Sequence, residues 1–213
     1  MRPSLLGPHL WAAAPIVLSL LFSAELRAQD RRGRLGVHAG MTFSKFGGAD
    51  VEDARVQLGL GAGAAMTLDL GPYLALRPEL AYVEKGVRFT GTGGSNSVRL
   101  GYLELPVQLA LRLPLASGTV SPHLSGGGSV GFRLDCRQNI ASGSTSVSQS
   151  CGGAEEPTPR RFEASLVFGA GVDVRRLRFG ARFELGMTRL GRGAQAADIK
   201  NRTFYLLAGT SFR

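Results

Sequence analysis

The chain has 213 residues and a formal net charge of +9, with 44% hydrophobic and 19% charged residues. This length allows one or two soluble domains or a single all-β barrel, and the near-average composition does not separate these classes. Nearly all the basic residues are arginines, but they do not form a basic helix or tract, so nucleic-acid binding is not indicated.

The first residues are typical of a secretory signal peptide. Arg2 precedes an apolar run over residues 10–22, and small residues follow the run. The run is too short for a membrane span, which needs about 20 residues. We therefore predict a signal peptide over residues 1–28, cleaved after Ala28, and a single mature barrel domain over residues 29–213. A retained N-terminal anchor helix is the alternative.

Eight segments carry apolar residues at every second position, the pattern of a β-strand with one apolar face. In VQLGLGAGAAMTLDLG, the even positions from Val56 to Leu70 are apolar and the odd positions are small or polar. The other segments are LGVHAGMTF, YLALRPELAYVEKGV, YLELPVQLALRL, VSPHLSGGGSVGFRLD, RFEASLVFGAGVDV, LRFGARFELGMT and TFYLLAGTSFR. Tight turns (GP, ASGT, RR) alternate with long polar connections, at residues 47–54, 91–97, 136–160 and 191–201. The sequence therefore predicts an all-β fold, an eight-stranded antiparallel up-and-down transmembrane barrel with four long external loops.

The apolar face of these segments is predicted to contact lipid. Its apolar runs extend over about 5 to 8 positions without a charge, which suits the ~25 Å lipid band crossed by tilted strands. Aromatic residues lie at the loop ends of the runs, as in an interfacial girdle: Phe43, Tyr82, Phe132, Phe162 and Phe204. The opposite face combines glycines with charges, which suits a narrow lumen. A secreted soluble barrel with its apolar set pointing inward is the alternative.

Charged residues in the middle of the segments are predicted to form a polar network in the lumen. They are Arg77, Glu79, Glu104, Arg112, Arg182 and Glu184. Because buried charges must be paired, we expect these arginines and glutamates to pair with one another. An eight-stranded lumen is just wide enough for side chains, so an open pore is not implied.

Cys136 and Cys151 are the only cysteines, and both lie in the polar stretch CRQNIASGSTSVSQSC. Export permits a disulfide between them, which would stabilise by roughly 3 kcal/mol by closing a loop of about 15 residues. We expect this disulfide to staple the third external loop, the expected recognition element, because loops on rigid scaffolds often carry binding. A metal site is not indicated, since neither cysteine has a His or a second Cys at ligand spacing.

Several segments resemble the outer-membrane β-barrel domain family, which includes PorT-like "porin family" proteins and the small OmpA- and OmpX-like barrels. The resemblance lies in LGVHAGMTFSKF, RPELAYVEKGVRF, YLELPVQLALRL and PHLSGGGSVGFRL, and with the terminal strand it covers essentially the whole mature chain. It implies a location in the outer membrane, contact with outer-membrane lipids and lipopolysaccharide, and insertion by the barrel assembly machinery. One departure is that Phe212 is followed by Arg213, whereas the assembly signal of such barrels usually ends on an aromatic residue.

The best enzymatic candidate is the pair His123 and Ser125, which is similar to the His-x-Ser pair of outer-membrane lipid A deacylases. In those enzymes the pair works at the lipid-facing surface, whereas the alternation places His123 and Ser125 inside. We therefore predict no catalytic, cofactor-binding or metal-binding residues. The expected function is non-enzymatic, either structural or ligand-contacting through the external loops. Transport of small or hydrophobic molecules through the barrel and lipid A modification are the alternatives.

Overall fold

The computed structural model describes residues 33–47, 54–91, 94–115, 118–142, 145–151, 160–189 and 199–212. The predicted signal peptide lies outside these ranges. They contain nine strands: β1 (Arg34–Gly47), β2 (Ala54–Asp69), β3 (Leu74–Gly91), β4 (Gly94–Arg112), β5 (Val120–Ser142), β6 (Thr145–Ser150), β7 (Phe162–Val174), β8 (Leu177–Gly186) and β9 (Lys200–Phe212). Among the described residues, no helix is long and apolar enough to cross a membrane.

Eight of these strands close into a ring by antiparallel pairing. The order around the ring is β1, β2, β3, β4, β5, β7, β8 and β9, and β9 pairs again with β1. Neighbours in the ring are therefore consecutive in sequence, apart from the step across β6 and the closure of β9 on β1. The predicted eight-stranded barrel is confirmed, with β6 as an additional strand outside the ring.

The alternation in sequence becomes the two faces of the barrel wall. On β2, Leu58 and Leu60 point outward and are 51% and 64% exposed, whereas Gln57 points inward and is 3% exposed. The outward aromatics also meet across strands, with ring centroids 6.3 Å apart for Phe43 and Phe204. A ring of apolar side chains on the outside and polar side chains inside is the arrangement that a lipid solvent requires.

The connections at one end of the barrel are tight turns. Arg175 adopts a positive φ of 56° in the two-residue turn between β7 and β8. Such turns need left-handed backbone because its twist matches the twist of the paired strands. Gly118 meets the same need with a φ of 85° in the turn before β5, where a side chain would be strained.

At the other end, the structure corrects two of the predicted long loops. β3 and β4 continue to Gly91 and Gly94 and are paired up to these two residues. β5 continues to Ser142, and β6 pairs with it from Arg137–Ser150 to Ser142–Thr145. Most of the predicted loops at residues 91–97 and 136–160 that the structure describes are therefore strand. Beyond the lipid band both faces of a strand meet water, so hydrogen bonding continues where the apolar pattern has ended.

Candidate functional site

The first candidate site is a buried cluster around one lysine, in the half of the lumen far from the tight turns. Lys85 Nζ lies 2.6 Å from Glu104 Oε1, 2.9 Å from Glu184 Oε2 and 3.4 Å from Glu163 Oε1. None of these four side chains is more than 3% exposed. The Tyr205 hydroxyl donates to Glu184 Oε2 at 2.8 Å. We call these five residues the lysine cluster.

Neutral side chains also contact the lysine cluster. Asn201 Nδ2 donates to Glu163 Oε2 at 2.7 Å, and the Ser165 hydroxyl donates to Glu163 Oε1 at 3.3 Å. The Lys85 ammonium also lies 5.4 Å from the centroid of the Tyr102 ring, within the range of a cation–π interaction. These contacts join β3, β4, β7, β8 and β9, so the cluster ties opposite walls of the barrel together.

A second group of ion pairs fills the half of the lumen nearer the tight turns. Arg182 donates to both oxygens of Glu79, at 3.0 and 2.6 Å, in the bidentate geometry that gives strong guanidinium–carboxylate pairs. His38 Nε2 lies 3.0 Å from Glu79 Oε1. Asp173 accepts from two arginines, Arg77 at 3.1 Å and Arg178 at 2.7 Å.

The ion pairs continue to the rim at this end, where Asp69 also pairs with two arginines. Arg112 Nη2 lies 2.7 Å from Asp69 Oδ1, and Arg34 Nη2 lies 3.2 Å from the same oxygen. We call the five arginines of this half, with their three carboxylates, the arginine cluster; its members are Arg34, Arg77, Arg112, Arg178, Arg182, Asp69, Glu79 and Asp173.

The six residues predicted as a lumen network all lie in the lumen, and each is at most 9% exposed. Within the described contacts, Glu79 and Arg182 are the one pair joined directly to each other. Glu104 and Glu184 pair instead with Lys85, Arg77 with Asp173, and Arg112 with Asp69. The partners that were missed belong to the same inward-facing set, so the alternation could have nominated them, but it carries no information on which residues meet across the lumen.

His123 and Ser125 face the lumen. The Ser125 hydroxyl donates to Gln108 Oε1 at 2.9 Å, and His123 Nδ1 lies 3.8 Å from Asp173 Oδ1. Both residues line a cavity of about 50 Å³ together with Arg77, Arg178, Arg182 and Glu79. The pair is thus placed away from the lipid-facing surface on which deacylation would occur.

The second candidate site is the external hairpin, which we define as residues 136–142 of β5 and 145–151. The predicted disulfide joins Cys136 and Cys151 across its base, with their Cα atoms 5.3 Å apart. The Cys151 amide donates to the Cys136 carbonyl at 3.1 Å, so the disulfide continues the strand pairing. All six residues of β6 are exposed. The disulfide therefore staples a β-hairpin rather than an irregular loop.

Comparison with known proteins decides the family. Residues 27–191 match the outer membrane protein beta-barrel domain family. The chain belongs to this family. This outer-membrane barrel is therefore embedded in lipid and lipopolysaccharide, and its tight turns mark the periplasmic end. The lysine cluster lies in the external half of the lumen, the arginine cluster in the periplasmic half.

Solved structures of other outer-membrane barrels resemble the chain at low sequence identity. Ail of Yersinia pestis is 15% identical, with a TM-score of 0.43 over 85% of this chain and 99% of that chain. Neisserial surface protein A is 12% identical, with a TM-score of 0.43 over 84% and 97% of the two chains. The N-terminal β-barrel domain of Pseudomonas aeruginosa OprF is 9% identical, with a TM-score of 0.36 over 85% and 100%. A comparison with curated protein sequences finds no match.

Proposed function

We propose that this protein is a non-enzymatic outer-membrane barrel that holds the external hairpin at the cell surface for contact with an external ligand. The observation that carries the proposal is the construction of the hairpin. It extends the barrel wall beyond the closed ring, a disulfide pins its base, and every β6 side chain is exposed. The β5 arm of the hairpin is paired with β4 from Gly94–Ser142 to Leu100–Cys136, so the exposed β6 arm is held on an ordered sheet and is suited to contact with molecules outside the barrel.

The filled lumen supports a structural role over transport. The lysine cluster links five strands through charges that are almost fully buried. Moving an ion past it would require breaking pairs in a poorly hydrated space, which is costly. We expect no stable single-channel conductance in planar bilayers, and a wild-type barrel that conducts would favour the transport alternative.

The contacts of Ser125 support a non-enzymatic role. A serine nucleophile needs a base within hydrogen-bond reach, and that base must in turn be oriented by an acidic or amide side chain. Here the Ser125 hydroxyl donates to Gln108 Oε1, and His123 Nδ1 lies 3.8 Å from Asp173 Oδ1. The lipid A-modifying alternative would need both side chains to turn out of the lumen.

Lipopolysaccharide is the proposed lipid partner of the external side of the wall. In the strand pairing, Arg55 lies directly opposite Arg88, and Arg99 directly opposite Arg137. All four are exposed. Like charges directly opposite each other destabilise a sheet, so anionic groups that lie between the arginines would stabilise it. The phosphates of lipopolysaccharide have this chemistry, and guanidinium groups bind phosphate in bidentate fashion.

This contact is testable with purified lipopolysaccharide. The barrel should melt at higher temperature in micelles that contain lipopolysaccharide than in micelles of neutral detergent, as read by its heat-modifiable migration on gels. Replacing Arg99 and Arg137 with Gln should remove most of this gain. Arg176→Gln, on the periplasmic turn, is the matched control and should retain it. Equal gains in all three proteins would contradict the contact.

We further propose that residues 1–28 are removed as a signal peptide, that residues 29–213 form the mature domain, and that the barrel assembly machinery inserts it. The family match begins at residue 27, close to the proposed cleavage site. N-terminal sequencing of the protein from purified outer membranes should begin at residue 29.

The surface position of the hairpin is the premise of the proposed function, and cysteine labelling tests it. Val147 is 53% exposed on β6. A Val147→Cys variant should react with a membrane-impermeant maleimide on intact cells. Arg176→Cys, on the periplasmic turn, should react only after the outer membrane is permeabilised. Labelling of the two variants in the reverse order would refute the proposal.

A further inference from the structure

The arginine cluster carries more positive than negative charge. Within the part of the chain that the structure describes, its five arginines face three carboxylates, which leaves a surplus of two positive charges. The surplus of positive charge arises because Asp69 and Asp173 each pair with two arginines. Each of these shared carboxylates can neutralise one guanidinium.

This surplus cannot be relieved by loss of protons. A guanidinium stays charged in proteins, unlike an amine or a carboxylate, which can change its protonation state when buried. The negative lysine cluster approaches the arginine cluster at Arg182, which lies 5.8 Å from the centroid of the Tyr205 ring, but it does not reach Arg77 at contact distance. Arg77 and Lys85 are eight residues apart on β3, which is about 26 Å along a strand. Arg77 is buried among these positive charges, so a mobile counter-ion beside it would be stabilising.

Unused hydrogen-bond donors lie at the same place. The Nε group of Arg77 is buried and has no partner among the described residues, and Arg77 is 5% exposed. His123 Nδ1 is also buried and without a hydrogen bond in the described structure. Buried donors without a partner are costly, so an acceptor at this position would be stabilising.

A cavity of suitable size lies between these groups. Its volume of about 50 Å³ has room for about four water-sized groups. Arg77, Arg178, Arg182, His123 and Ser125 contribute to its lining. A smaller cavity of about 20 Å³ adjoins it, since both are lined by His38, Ala65, Arg178 and Gly209. This second cavity reaches the periplasmic ends of β1, β2 and β9, where its lining includes Gly36, Thr67 and Ser211.

We propose that the larger cavity binds one small oxyanion of the phosphate or carboxylate class, held by Arg77, Arg178 and Arg182 and reached from the periplasm. Guanidinium groups favour oxyanions over spherical halides because two parallel N–H groups match two oxygens. Ser125 lines the same cavity, where its hydroxyl donates to Gln108 Oε1. The site is independent of the external hairpin and of the proposed surface role.

Inorganic phosphate is the probe for this site. The full mature chain, folded in maltoside micelles, is titrated with phosphate against a chloride background of constant ionic strength, and binding is measured by calorimetry and by phosphorus NMR line width. We expect saturable binding of one phosphate per barrel. Absence of saturable binding to the folded wild-type barrel would overturn the proposal.

Two variants with opposite expected effects separate binding from folding. Arg178→Gln should weaken phosphate binding at least tenfold, because it removes a charge that lines the cavity. Asp173→Asn should strengthen binding at least threefold, because it removes a carboxylate that competes for the same arginines. General loss of structure cannot produce tighter binding. Arg88→Gln, an exposed arginine on the external side, is the matched control and should bind as the wild type does.

The source of the oxyanion is tested with a short-chain phospholipid. Dihexanoyl phosphatidylglycerol carries a phosphate, but its acyl chains do not fit a cavity of this volume. If the phospholipid binds but inorganic phosphate does not, or if Arg88→Gln loses as much affinity as Arg178→Gln, the site is on the surface and the proposal is wrong.

Discussion

Replacing Lys85 with Met should strongly destabilise the barrel. The substitution keeps an unbranched side chain one atom shorter but removes the cation that three buried carboxylates share, at 2.6, 2.9 and 3.4 Å. At an effective dielectric constant near 20, each of these pairs is worth about 5–6 kcal/mol of Coulomb attraction. Repulsion among the carboxylates and the cost of desolvation offset most of this sum. Removing one partner from a buried pair costs about 3–5 kcal/mol, and we expect a loss of this size.

The assay is equilibrium unfolding of the refolded protein in urea. Unfolding is followed by heat-modifiable gel migration and by far-ultraviolet circular dichroism. Lys45→Met removes an exposed lysine from β1 and is the matched control, with an expected change below about 0.5 kcal/mol. Adding Glu104→Gln and Glu184→Gln to Lys85→Met should recover at least half of the lost stability, because the unpaired charges are then gone. If Lys85→Met unfolds at the same urea concentration as the control, the lysine cluster does not stabilise the barrel and the reasoning is refuted.

Three further predictions concern the lipid face, the hairpin and the lumen serine. Val107 and Val147 are similarly exposed, at 48% and 53%, but Val107 lies on the lipid band. Val107→Arg should therefore cost about 2–4 kcal/mol of folding free energy in liposomes, whereas Val147→Arg should cost less than about 0.5 kcal/mol; equal costs would contradict the membrane assignment. Replacing Cys136 and Cys151 with Ser should speed proteolysis of the external hairpin while leaving the melting of the barrel unchanged, and unchanged proteolysis would argue against the staple. Ser125→Ala should leave the acylation of lipid A unchanged in mass spectra of cells that express the protein, and a difference from the wild type would support the enzymatic alternative.

The face of each strand was predictable because a period of two is a local property. Leu58 and Gln57 are neighbours in sequence, and the geometry of one strand is enough to send them to opposite sides of the wall. Which face contacts lipid was predictable from side-chain chemistry, since glycines and charges share the face opposite the leucines. The disulfide was predictable for a similar reason, because the chain has two cysteines and both lie in one short polar stretch.

The pairing inside the lumen was not predictable in the same way. Arg77 was expected to find a glutamate among the network residues, but its partner is Asp173, 96 positions away. Which carboxylate meets Arg77 depends on the stagger of every strand between β3 and β7 around the ring. The missed role of Lys85 has the same origin, because its three partners come from β4, β7 and β8.

The amino-acid sequence by itself determined that this chain forms strands, which side of each strand meets lipid, and that arginines and glutamates occupy the interior. These properties depend on side-chain chemistry at positions one or two residues apart. Only the tertiary structure decided how far the strands extend above the lipid band and which charges meet in the lumen. Backbone hydrogen bonds extend a sheet without regard to side-chain polarity, and ion pairs across a barrel depend on ring closure, which no local pattern encodes.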